Sequence, residues 1–398
     1  MNIRLRPLLP KLGIGLASLL ALLAISEVLV RTLTDTRRPL LVVDEDVGRR
    51  YLDGFEGPYY SDESEREVHL RFNAHGLRFP DVPHEKPEGV RRLLLFGDSF
   101  VAGLEVEEAV TACAVLERRL ALERPDERWE VLNFGVSGSA PDQELALYRH
   151  VGQLYQADLV LCTYFVGNDF GGVIERISRT VKLYYELDAA GELVQVPYPS
   201  PRIAFNELLN QYSRFYVWQK KLVNESSKRQ LKTVVASFAA EGEGRNVFHG
   251  DSLRKSEWVY CTEVAGDVSA SWDVTDAVLS AFAEEVEADG ARFGLVIMPA
   301  SLQLLDDDFA FVRELGDRQG VPLDPLHPNR RLAALCDRLG VPCVDLLPLL
   351  RSETPSHSYA AQDEWILFNG AGHLNERGHE LFAEGVFQAL SQELTAGL

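Results

Sequence analysis

The sequence predicts an α/β protein built on a central parallel sheet with helices on both faces, preceded by one membrane-spanning helix. Three observations carry this expectation. From Arg91 onward short apolar runs alternate with segments of helical period, several of the runs are apolar at every position, and residues 12–30 are almost uncharged. Alternation of the two periods is the pattern of strand–helix–strand units. A strand apolar on both faces is one covered on both sides. The 398 residues can bury a large core, and 46% hydrophobic with 25% charged residues is an ordinary globular composition.

The amino-terminal element comes first. Leu12 to Ser26 reads LGIGLASLLALLAIS, and after Glu27 the apolar character resumes through Val28-Leu29-Val30. That meets the roughly 20 residues needed to cross a bilayer, with Glu27 near one end, where a carboxylate reaches the headgroups. Arg4, Arg6 and Lys11 lie before the segment and Arg31, Arg37 and Arg38 after it, so charge does not set its orientation. Residues 1–33 are read as an uncleaved anchor with the remainder exported, periplasmic or extracellular. A cleaved signal peptide, with Ala24 and Ser26 before the cut, is the alternative and would release a secreted protein. Residues 34–90 read as a polar approach segment without a long helical period.

Residues 91–398 then carry the sheet. Strands are expected at Arg92 to Phe96, Glu130 to Asn133, Leu159 to Tyr164, Phe293 to Met298 and, shorter, Pro342 to Asp345. Helices are expected at Thr111 to Leu122, Asp142 to Gly152, Thr275 to Ala288, Asn329 to Leu339 and Glu376 to Leu394. Between the third and fourth strands the spacing breaks, and residues 170–271 read as an insertion longer than any ordinary crossover. Within it KLYYELDAAGELVQVPYPSP looks like a hairpin around Ala189-Ala190-Gly191, and LLNQYSRFYVWQKKL looks helical. A cap over the carboxyl edge of the sheet and a surface elaboration both fit.

Composition excludes several functions. Acidic residues outnumber basic ones 60 to 40, a net charge of −20 whose field repels nucleic acid and anionic membranes. Five cysteines without a C-x-x-C pair speak against a zinc ribbon or thioredoxin-like site; Cys336 and Cys343 flank a short turn that an oxidising compartment would allow to bridge. Gly97 to Gly103 is no phosphate-binding loop, because no lysine follows it at the required spacing. No metal-ligand spacing stands out, and no cofactor is expected.

Ligands of an open parallel sheet bind beyond the carboxyl ends of its strands, so those loops carry the chemistry. The first ends in Gly97-Asp98-Ser99, the second in NFGVSGSAP with Gly135 and Gly138, the third in FVGNDF with Asn168-Asp169. Taken singly, each is what helix caps and turns use anyway. Together they supply a hydroxyl and donors for an oxyanion: the backbone N–H groups of Ser99 and Gly138 and the side-chain amide of Asn168. A base is then required. The loop FNGAGHLNERGHELFAEG offers His373, just before a helix capped by Asn375, and His379, one turn inside it. His373 is the better placed; His69, His84, His150, His249 and His357 are read as core or surface residues.

With these residues in order, the chain resembles the SGNH hydrolases, the GDSL-type esterases, and among them the membrane-anchored bacterial members. Ser99 in FGDSF, Gly138 in NFGVSG, Asn168 in GND and His373 in GHLNERGH match the four named blocks of that family, and NAHGLR resembles its amino-terminal lead-in. The resemblance implies a flavodoxin-like three-layer fold and a serine esterase with catalytic Ser99 and His373 and an oxyanion hole of Ser99, Gly138 and Asn168. It implies removal of an acyl group, short as in acetyl, from an envelope glycan, a lipid or a small ester. An O-acyltransferase using the same site and a non-catalytic binding or assembly protein are the alternatives. One departure stands out. The aspartate usual two or three residues before the histidine is replaced by Ala371 and Gly370, which leaves a backbone carbonyl, Asn369, Asp363 or Glu364 to orient the ring.

Overall fold

The computed structural model describes residues 8–34, 39–61, 63–173, 183–196, 201–223, 253–263, 266–354, 366–367 and 372–391. They fall into two compact units, one formed by the chain up to Val42 with the segment between Pro199 and Gly250, the other by Val43–Tyr198 with Asp251–Leu398.

The larger unit opens with short strands ending in β2 (Gly48–Tyr51, after β1, Leu41–Asp44), followed by an antiparallel hairpin of β3 (Glu56–Ser61) and β4 (Arg66–Arg71). The approach segment is thus built of strands, which its short apolar alternation, Val68 and Leu70 buried between exposed neighbours, explains. Five parallel strands follow as one sheet: β5 (Val90–Gly97), β6 (Arg128–Gly135), β7 (Leu159–Phe165), β10 (Arg292–Met298) and β11 (Cys343–Asp345). Their order is β11-β10-β7-β5-β6, the 2-1-3-4-5 arrangement of flavodoxin-like folds, in which the direction of winding reverses between the first and third strands. That reversal opens a crevice between the loops after β5 and β7, the loops that carry Ser99 and Asn168.

Both faces of the sheet are covered. On one, helices Ala112–Glu123 and Glu376–Ala389 pack over Leu93, Leu95, Val131, Leu161 and Val296. On the other, Pro141–His150 and Asp267–Ala288 cover Phe96, whose ring meets Phe134, Tyr148 and Phe282 at 4.6–6.1 Å. Each expected strand and helix is present among the described residues, with ends shifted by a few residues; the expected end of the final helix, Leu394, lies outside the described residues. The largest shift is at Asp267–Ala288, which starts eight residues early. Helix Asp306–Gln319 has no counterpart among the expected elements, although its buried Phe309, Val312, Leu315 and Gly316 keep helical spacing.

Of the insertion, the expected hairpin is formed by β8 (Tyr185–Leu187) and β9 (Leu193–Gln195). It lies against the helical face, where Arg149 Nη1 donates to the Tyr185 hydroxyl at 2.9 Å. The helix expected nearby is Pro201–Tyr212, continued by helical residues 214–223. The amino-terminal helix Leu8–Leu33 contains a 21-residue apolar span, Gly13–Leu33, of mean hydropathy 2.2 and almost wholly uncovered, the dimensions of a membrane anchor or a signal segment. Cys336 and Cys343 do not form the bridge that the sequence allows; all five cysteines are free thiols.

Candidate active site

Strand β5 ends at Gly97, and Asp98 turns the chain into the short helix Ser99–Ala102. Asp98, not Ser99, is the cap: its Oδ1 accepts from the N–H of Phe100 at 2.9 Å. The Ser99 hydroxyl is therefore free of the helix, and it meets Nε2 of His373 at 2.7 Å. Asn168 likewise occupies the cap position of a short helix without capping it. Its amide instead donates to Oδ2 of the buried Asp98 at 2.9 Å, which uses one of its two N–H groups and fixes the plane of the amide beside the serine loop. Burial pushes the Asp98 carboxyl up, against its bonds to Phe100 and Asn168.

The loop after β6 is held close to the Ser99 loop. A Cβ at Gly135 would lie 2.2 Å from the backbone nitrogen of Ala102, so only glycine permits this approach. Gly138 has φ +75°, a left-handed conformation, and the Arg49 guanidinium sits 3.0 Å from where its Cβ would be. The Tyr51 hydroxyl braces the same loop, accepting from the Ser137 N–H at 2.8 Å and lying 2.6 Å from its hydroxyl. Arg78 of the NAHGLR segment is almost completely buried and reaches the carbonyls of Ala102 at 3.1 Å, Val106 at 2.6 Å and Gly103. It thereby satisfies carbonyls that the short nucleophile helix leaves open.

His373 precedes the final helix, which Asn375 caps by accepting from the Gly378 N–H at 3.0 Å. Its imidazole is held from the far side by a residue that nothing in the sequence singles out. Glu63 Oε2 lies 2.8 Å from Nδ1 and also accepts the His373 backbone N–H at 2.9 Å. Glu63 sits at the tip of the β3–β4 hairpin, where the Ser61 hydroxyl accepts from the N–H groups of Glu63 and Ser64 at 3.3 and 3.2 Å. A salt bridge from Arg66 to Glu376, at 2.8 Å, ties the same tip to the start of the final helix. A second acid, the buried Glu105, stands 3.4 Å from Nδ1, and its other carboxylate oxygen has no partner among the described residues. Among the described residues, the carboxylate hydrogen-bonded to the ring thus comes from the approach segment. Asn369, Gly370, Ala371, Asp363 and Glu364 lie outside the described residues.

The charges around His373 oppose its desolvation. Burial disfavours the imidazolium, but the hydrogen bond to Glu63 and the charges of Glu105, Glu63 and Asp98 outweigh it, raising the group to about 9. The same contact holds the Glu63 carboxyl below its ordinary range, and burial pushes Glu105 up. Donor atoms of Glu63, Glu105 and His373 lie within 4.8 Å of one another, close enough for a cation. However, both N–H groups of His373 that face Glu63 converge on one of its oxygens, the arrangement of a donor pair on an acceptor. His379, the rival histidine, is 1% exposed, and its Nδ1 accepts from the Ala112 N–H at 3.3 Å, away from the serine.

The sequence holds only faint signals for the two acids. Glu63 lies in SDESERE, where nothing marks one acid above another; Glu105 stands between two residues, Leu104 and Val106, that are buried, directly after the nucleophile loop.

No protein-family profile matches the chain, and no curated protein does. Solved structures similar to it include a variant of an acetyl xylan esterase from Geobacillus stearothermophilus, at 13% identity and TM-score 0.38, covering 75% of this chain and 94% of that one. A lipase/acylhydrolase from Enterococcus faecalis is 14% identical at TM-score 0.36, covering 75% and 95%. At that similarity the site geometry has to carry the functional reading.

Proposed function

We propose that the chain is a serine ester hydrolase of the SGNH type, held in the membrane by residues 1–33 and acting on an acyl ester through an acyl-serine intermediate. One observation supports this above the others: the Ser99 hydroxyl, the His373 imidazole and the Glu63 carboxylate form a continuous hydrogen-bonded line, 2.7 Å and then 2.8 Å. Ser99 Oγ attacks the ester carbonyl carbon while Nε2 of His373 takes its proton. The carbonyl electron pair moves onto oxygen, where the N–H groups of Ser99 and Gly138 and the remaining N–H of Asn168 receive it. The imidazolium returns its proton to the leaving alcohol as the carbon–oxygen bond breaks. Water then attacks the acyl-serine, giving its proton to His373, and the acid departs as Ser99 recovers its hydrogen. Glu63 holds the ring as the Nδ1–H tautomer and stabilises the imidazolium.

The anchor, with an exported sheet domain, makes acylated envelope glycans, lipids and small esters the substrate class. The non-catalytic reading rests on the missing aspartate and the membrane tether, and Glu63 on the His373 ring answers the first of these. A fluorophosphonate probe should label Ser99, and the purified chain should hydrolyse p-nitrophenyl acetate in a manner lost in Ser99→Ala. Labelling that survives this substitution would overturn the assignment. Product analysis with an added sugar acceptor separates hydrolysis from acyl transfer.

A further inference from the structure

Glu27 raises a question the esterase site does not answer. A carboxylate inside an apolar span is costly unless its charge finds partners, and this one finds four. Its oxygens accept from the Arg31 guanidinium at 2.7 Å, the Ser213 hydroxyl at 2.9 Å, and the backbone N–H groups of Arg214 and Phe215 at 2.8 and 3.0 Å. The last two are the first amides of helical residues 214–223, so the anchor's carboxylate caps a helix of the insertion. Arg31 adds a bond to the Tyr212 carbonyl at 3.0 Å, the last residue of helix Pro201–Tyr212. The junction between the two insertion helices is therefore clamped to the anchor at Glu27 and Arg31, all within the smaller unit.

That clamp fixes a depth. Glu27 lies six residues before Leu33, roughly 9 Å along the helix axis at 1.5 Å per residue. The apolar run of residues 12–30, with Glu27 one turn from its end, is what the bilayer would hold, so that carboxylate reaches the headgroups. Glu27 and Arg31 then stand at headgroup level, and so does whatever they hold. The held element carries the matching surface. Phe205, Leu208 and Tyr212, spaced i, i+3 and i+7 on one helix face, are 57%, 52% and 57% exposed. Phe215 and Trp218 stack at 6.1 Å, and Lys220 lies 5.7 Å from the Tyr216 ring, the aromatic and cationic content of a membrane interface. The anchor's own Leu16, Leu20 and Leu29 are equally bare, at 59%, 57% and 49%.

We propose that residues 201–223 are a second membrane-contact element: a helical pair lying in the headgroup region of the bilayer, docked to the anchor through Glu27. The occupant of its apolar stripe is lipid. The assignment rests on the anchor reading of residues 1–33, and it makes Glu27 the reason that an acidic residue stands in the span.

The test uses the full chain in vesicles of phosphatidylcholine with one-third phosphatidylglycerol, carrying nitroxide lipids spin-labelled either near the headgroup or deep in the acyl chain. A bimane label is placed at Leu208→Cys or at Leu20→Cys, with the unsubstituted chain as background, since four native cysteines are buried and one half-buried. Both labels should be quenched, Leu208→Cys more by the shallow nitroxide and Leu20→Cys more by the deep one. Adding Glu27→Ala should at least halve quenching at position 208 and leave that at position 20 unchanged. Quenching at 20 without quenching at 208 would overturn the proposal and give the stripe to a protein partner or a second copy. Quenching at neither position would sink the anchor reading and this proposal with it. Undiminished quenching at 208 in the Glu27→Ala chain would remove the clamp.

Discussion

His373 and His379 stand six residues apart at one end of the final helix, and their surroundings push them in opposite directions. His373 faces Glu63 and Glu105 and lies 5.5 Å from the Phe100 ring; despite burial it is raised to about 9. His379 is sealed in, with its Nδ1 on the Ala112 amide. Burial above all, then the positive charges of Arg78 and His373, hold it down to about 3. The difference teaches that the final loop alone does not make a base. The charges that raise His373 arrive from the hairpin before the sheet and from the loop after Ser99.

The sharpest way to test that contrast is to remove each partner in turn. Ser99→Ala and His373→Ala should each lower kcat/KM toward p-nitrophenyl acetate by at least about four orders of magnitude. His379→Asn should leave the chemistry in place, so a collapse of comparable size there would break the comparison. Glu63→Gln should come next, costing on the order of 10²–10⁴ in kcat as the imidazolium loses its countercharge. Because the base works only when neutral, the parent's rate should rise with pH through about 9. In Glu63→Gln that limb should move toward neutrality, a shift that a merely structural role for Glu63 would not produce. Glu105→Gln should move the limb the same way by less, with most of the rate kept.

Stability offers a smaller and complementary reading. His379 binds its proton less readily folded, at about 3, than at the ordinary 6.5. The unfolded chain therefore holds the extra proton between those values, and this contribution is complete above pH 6.5 and fades as pH falls toward 3. His373 runs the other way: its contribution is complete below 6.5 and fades as pH rises through about 9. Thermal melts against pH should flatten on the acid side in His379→Asn and on the alkaline side in His373→Asn. At neutral pH, loss of the bond to the Ala112 amide should cost His379→Asn about 1–3 kcal/mol. The smallest effect expected is none: EDTA should leave the esterase rate unchanged, and a metal-dependent rate would reassign Glu63, Glu105 and His373 as ligands.

Much of the fold and most of the site are legible in the order of amino acids alone. The sheet can be read because β7, β10 and β5 from Leu93 onward are apolar at nearly every position, and β5 and β7 run into Gly, Asp or Asn turns. The serine loop, Gly138 and Asn168 can be named because three such turns fall on one sheet edge, and His373 because it stands just before the helix that Asn375 caps. Glu63 cannot, since its partner is 310 residues away and its neighbours Glu65 and Glu67 look no different in sequence. The β3–β4 hairpin that carries it is too short to announce a strand pair through period alone. Nor does sequence tell that Asp98 takes the capping job and frees Ser99, or that Asn168 leaves its own helix without a side-chain cap and turns to Asp98; that depends on which of several suitable side chains wins the local amide.

The hairpin position of Glu63 bears on how this protein can be cut or recombined. A fragment starting at β5 keeps every strand of the five-stranded sheet together with Ser99 and His373, and would pass as intact by fold alone. It would nonetheless lack the partner that gives its histidine a preferred tautomer, and with Arg78 gone the serine loop would lose its inner brace as well. Grafting this scaffold's loops onto another, or trimming it for expression, therefore has to carry the forty-odd residues ahead of the first sheet strand as machinery rather than as packaging.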